Sequence, residues 1–126
     1  MFSDAALDHI PSFDMSEITN AYGMFSGTRH TFKTATVNLP KATDVMNLFY
    51  RGVGAPASSS LTSATIYAPL ATKAEQILYG HSQLTELNLT LGTLSGVNRY
   101  MFAQCTSLQS APLIDTSLAT DLGQMF

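Results

Sequence analysis

Asp8-His9 and His30 carry the groups that general acid–base chemistry uses. Catalysis needs a base held beside a nucleophile and oriented by a third group. No such constellation recurs along this chain, so these residues read as surface polar side chains. Cys105 is the single thiol, and a free cysteine packs as a small apolar group; it reads as a corner residue rather than a nucleophile. Asp14 and Asp115 each stand three residues after a proline. A calcium ladder would repeat acids at regular intervals, whereas the equivalent places hold Asn38, Tyr67 and Leu91. A carboxylate that bonds its own following backbone in a turn is the better account. Asn88-Leu-Thr90 fits the N-glycosylation triplet, and Tyr22, Tyr50, Tyr79 and Tyr100 flank apolar pairs, where half-buried packing suits an amphipathic ring. Neither a cofactor nor a metal nor a catalytic residue is expected, and the chain does not read as an enzyme.

What must position these residues is a repeat. The stretch from Pro11 through Asp14, Ser16 and Thr19 to Met24-Phe25 returns as Pro112, Asp115, Ser117, Thr120 and Met125-Phe126. Between them, Ala35-Thr-Val-Asn-Leu-Pro40-Lys-Ala-Thr43 matches Ala64-Thr-Ile-Tyr-Ala-Pro69-Leu-Ala-Thr72. Units end near Phe25, Phe49, Leu78, Phe102 and Phe126, at separations of 24, 29, 24 and 24 residues. The unit is thus 24 residues, with one insertion of 5 in the Gly/Pro/Ser run over 52–60, which reads as a loop. Chains of this kind stack unit on unit.

Within a unit, apolar residues two, five and six positions after Thr43, Thr72 and Thr120 share one face of a helix, and threonine is a good N-cap. The spacing predicts a helix of about two turns. Thr36–Leu39, Thr65–Ala68 and Leu87–Leu91 are β-branched or alternating and predict strands, ended by Pro40 and Pro69. The residue three after the apolar pair (Thr28, Gly52, His81 or Cys105) falls at a corner. The expected fold is an α/β repeat solenoid: a single leucine-rich-repeat-like domain over 1–126, a stack of about five units with parallel strands on one side and short helices on the other.

The stretch from Met101-Phe102 through Cys105, Ser107-Leu108, Pro112, Asp115, Ser117 and Thr120 to Met125-Phe126 resembles the repeat of the BspA-type leucine-rich-repeat surface proteins. The second and third copies depart from it, with Pro40 and Pro69 at the Ser position and no Cys; the fourth lacks Pro, Asp and Thr where expected. The resemblance implies a non-enzymatic binding or structural role, on a bacterial cell surface or in a bacteriophage tail or fibre, and carries no catalytic residues.

Composition bounds the partners. Only 12% of the 126 residues are charged, about half the usual share, so hydroxyl and amide side chains must cover much of the surface. A net charge of −3 and six scattered Lys and Arg give no nucleic-acid footprint, and no apolar run is long enough to insert in a bilayer. The N-terminus lacks the basic start and apolar core of a signal peptide, which tilts the reading toward a virion protein released by lysis. The apolar last residues suggest a piece of something longer or an end covered by a partner. The expected role is an extracellular binding or adhesion module that contacts a protein or glycan on a cell surface. The alternative is a structural spacer that assembles with neighbouring subunits through open solenoid ends. Candidate contact residues are Asn38 and Tyr67 on the strands and Val53 and Ser58 in the insertion, since insertions in solenoids map to loops that often bind.

Overall fold

The computed structural model describes residues 1–3, 5–52 and 60–126. Among them are seven strands: β1 (Ala6–Leu7), β2 (Arg29–His30), β3 (Thr34–Asn38), β4 (Ser63–Ala68), β5 (Glu86–Leu91), β6 (Ser95–Val97) and β7 (Leu118–Asp121). Every pairing is parallel. The sheets run β1-β2, β3-β4-β5 and β6-β7. In the central sheet Thr34 faces Ser63 and Ser63 faces Glu86. Side chains alternate across a strand, so Ala35, Val37, Ala64, Ile66 and Leu89 are buried while their neighbours point outward.

The fold is all-β. The α/β, leucine-rich-repeat-like architecture with short helices is not what the chain adopts: no helix occurs among the described residues. The reason lies two residues before the end of each apolar pair. Gly23, Asn47, Gln76, Tyr100 and Gln124 have φ of 60°, 56°, 54°, 56° and 52°. One left-handed residue interrupts a right-handed helix. The chain makes a tight turn instead, with Leu48 N–H donating to Val45 O (3.2 Å) and Ile77 N–H to Ala74 O (3.2 Å). The next N–H then points off the unit to its neighbour. Phe25 N–H donates to Leu48 O (2.9 Å), Phe49 N–H to Ile77 O (2.9 Å), Leu78 N–H to Met101 O (3.0 Å) and Phe102 N–H to Met125 O (2.7 Å). Apolar offsets of three and four here report a turn that repeats, not a helix face.

The capping role also falls on a different residue. It is the residue after the threonine position that acts, as Asn20, Asp44 and Asp121 each accept the backbone N–H two residues on, at 2.9, 3.0 and 2.8 Å.

The apolar pairs form one file. Phe25 stacks on Phe49 with centroids 5.1 Å apart, and Phe102 meets Phe126 at 5.4 Å. Phe2 stacks on Phe25 at 5.6 Å, and its N–H donates to Met24 O at 2.7 Å. Met1-Phe2 is therefore a further copy of the apolar pair, one unit before Met24-Phe25. Where Leu78 replaces the ring, His81 sets its imidazole edge-on to Phe49, with centroids 6.4 Å apart.

The corner residues satisfy carbonyls inside this file. Thr28 Oγ1 donates to Phe25 O (2.9 Å), His81 Nε2 to Phe49 O (2.7 Å) and Cys105 Sγ to Leu78 O (3.1 Å). Buried carbonyls need such partners because water cannot reach them. A carbonyl only accepts, which places the His81 proton on Nε2. Burial pushes the Cys105 thiol up to about 11. Since the thiolate is the nucleophile, alkylation of the folded protein at pH 8 is expected to run ~100-fold slower than in denaturant. Equal rates by mass spectrometry would show that Cys105 is not held in the core.

Candidate binding face

The strand pattern that buries one face of β3-β4-β5 turns the other outward. Three in-register rows cross it: Thr34–Ser63–Glu86, Thr36–Thr65–Asn88 and Asn38–Tyr67–Thr90. Rows lie roughly 6.6 Å apart along the strands, and neighbours within a row about 4.8 Å apart. Eight of the nine side chains are hydroxyl, amide or phenol, and only Glu86 is charged. Tyr67 is 46% exposed between Asn38 and Thr90, which are also exposed. Such a face offers donors and acceptors at fixed spacing, with one aromatic platform.

Of the sequence-derived contact residues, Asn38 and Tyr67 are brought together as direct neighbours. Val53 and Ser58, with most of the 52–60 insertion, lie outside the described residues. Thr36 and Thr90 are additions from the structure: the 24-residue repeat carries Tyr67 to Leu91, whereas the strand register pairs Tyr67 with Thr90, one residue earlier.

The remaining chemistry-bearing residues do not converge. His9 Nδ1 lies 2.5 Å from Asp8 Oδ1 at an exposed site, and His30 lies in β2. Asp14 Oδ1 accepts Ser16 N–H at 2.8 Å, and Asp115 Oδ1 accepts Ser117 N–H at 3.0 Å. These are the turns expected of them. Hydrogen bonds from the Ser16 side chain and backbone hold the Asp14 carboxyl below the usual carboxylate range, and those from the Ser117 backbone and side chain and from Thr93 do the same for Asp115. Among the described residues no three His, Cys, Asp or Glu side chains gather as a metal site would require, and no helix is long and apolar enough to cross a membrane. The tyrosines line the turn side: Asn47 Nδ2 donates to Tyr22 Oη (3.2 Å), Gln104 Nε2 donates to Tyr79 Oη (3.0 Å), and the Tyr50 and Tyr79 rings lie 5.3 Å apart.

Comparison of the chain with protein-family models, with curated proteins and with solved structures finds no match.

Proposed function

We propose that this chain is a non-enzymatic binding module of an extracellular assembly, a bacterial surface protein or a virion tail or fibre protein, and that it makes contact through the outward face of β3-β4-β5. The observation that carries this reading is the in-register row Asn38–Tyr67–Thr90 on a face with almost no charge. The likeness of its repeat to the BspA-type surface proteins supports the setting. An aromatic ring flanked by an amide and a hydroxyl suits contact with a protein or glycan, because tyrosine offers large contact area at low entropic cost.

Retention of fluorescently labelled protein on a panel of bacterial cells tests it. Tyr67→Ala is expected to weaken retention about tenfold or more while leaving the fold intact, since the ring is exposed. Retention on no cell in the panel, or retention indifferent to Tyr67→Ala, would count against this face. A second reading, a spacer that assembles with its neighbours, draws on Leu113, Leu118 and Phe126, which stand exposed on the last unit. It predicts concentration-dependent association with no cell retention.

A further inference from the structure

We infer that the groove between the 11–16 segment and β3 is a subsite for a neutral oligosaccharide, which runs from there onto the Asn38–Tyr67–Thr90 row. This deepens the binding-module reading above and rests on it.

The groove exists for a local reason. Pro11 has no N–H to give to a ladder, and Asp14 diverts the chain into its turn with Ser16. The 11–16 segment therefore does not lie down as a strand on β3, whose one strand neighbour among the described residues is β4. A space of about 410 Å³ remains beside the strand, within the roughly 300–1,000 Å³ of small-molecule sites. Ser12, Asp14, Ser16, Thr36 and Asn38 line its polar part, and Ile10, Pro11, Phe13 and Met15 its apolar part. Asn38 belongs to both the groove and the row, so the two surfaces are continuous.

The lining decides the ligand class. Hydroxyls of Ser12 and Thr36 both donate and accept, the Asn38 amide does so with separate atoms, and the Asp14 carboxylate, which already takes hydrogen bonds from the Ser16 backbone and hydroxyl, keeps its remaining lone pairs as acceptors. That is the complement of a molecule with several adjacent hydroxyl groups. The half-buried Phe13 ring, held against Phe2 with centroids 5.6 Å apart, supplies an apolar wall for the carbon face of a sugar ring. Charge excludes the alternatives. The one ionised group in the lining is Asp14, and no cation is present there; the nearby Lys41 is engaged by Glu17 at 2.7 Å. A phosphate, sulfate or acidic sugar would meet a carboxylate with no compensating positive charge. A peptide strand along β3 would meet Pro11 and the Asp14 turn in its path.

An array of linear neutral oligosaccharides, with sialylated and sulfated glycans as separate arms, provides the probe. Neutral glycans are expected to bind and acidic ones not. Thr36→Val and Asn38→Ala are expected to weaken binding about five- to tenfold, with melting temperature kept within about 2 °C. Binding of acidic glycans alone, of no glycan, or binding unaffected by both variants overturns the inference. Cell retention separates its failure from that of the wider reading. If periodate-oxidised cells still retain the protein in a Tyr67-dependent way, the face binds something other than a sugar and only the groove assignment falls.

Discussion

Phe49→Ala is expected to cost about 3–5 kcal/mol of unfolding free energy, the range for truncating a fully buried aromatic residue. Phe49 is 1% exposed. It stacks on Phe25 on one side and receives the edge of His81 on the other. Its own N–H and O both leave the unit, the N–H to Ile77 O and the O to His81 Nε2. Removing the ring leaves a cavity between two units that are held apart by backbone hydrogen bonds and cannot close on it. Domains of this size have about 5–15 kcal/mol in total, so the variant loses about a fifth of its stability or more. Phe49→Leu is expected to cost much less, about 1.5 kcal/mol or below, because Leu78 already occupies the same place one unit on. Urea unfolding of the three proteins checks this. Equal midpoints for Phe49→Ala and the parent chain would mean that the file of rings does not hold the units together.

The parts of the fold legible in the sequence were those set by burial. The Thr-Ala-Thr-Val-Asn and Ser-Ala-Thr-Ile-Tyr-Ala segments alternate, and they are strands β3 and β4. Phe25, Phe49, Leu78 and Phe102 recur at the unit length, and they are buried in one core. What misled was the turn. Val45, Leu48 and Phe49 have a spacing that a helix and a repeated left-handed turn both satisfy, and periodicity alone cannot tell them apart over so few residues. Gly23 in the first unit and Asn47 in the second were a usable signal, since both residue types favour the left-handed region. Gln76 and Tyr100 hid it, because neither is a habitual left-handed residue. There the inter-unit hydrogen bonds impose the conformation.

The first and last copies, which share Pro, Asp and Ser at the same offsets, form no strand with the central sheet. Pro11 and Pro112, with the Asp14–Ser16 and Asp115–Ser117 turns, keep the first and last segments off β3 and β5. The second and third copies, where the proline stands at Pro40 and Pro69, make β3 and β4, and the fourth, without a proline, makes β5. The copies without a proline at that offset supply the outward face, and the first copy leaves the groove beside it. Asn38 and Tyr67 were legible as a pair because both stand at the Asp14 position. The groove was not, because a missing strand pairing leaves no periodic mark.

Gly92→Ala is expected to destabilise by about 1–3 kcal/mol, the range for forcing extra atoms into a filled site. A Cβ on Gly92 would lie 2.9 Å from Pro69 O, 3.0 Å from Ala71 O and 3.3 Å from Leu70 C. All three are backbone atoms of the preceding unit and cannot swing aside. The same glycine donates its N–H to Ala71 O at 3.0 Å, so relief by a backbone shift would stretch an inter-unit bond. The close approach follows from spacing. The path from strand to core residue is one residue longer from Glu86 to Phe102 than from Ser63 to Leu78, and the extra length is folded in against the 69–71 turn. Gly52→Ala is the control: its nearest contact among the described residues would be Tyr50 Cε1 at 3.6 Å, an ordinary distance. That variant is expected to be neutral or up to about 1 kcal/mol more stable, through loss of freedom in the unfolded chain. Thermal unfolding of both variants separates the cases. A Gly92→Ala protein as stable as Gly52→Ala would mean that the units are not packed backbone to backbone at that turn.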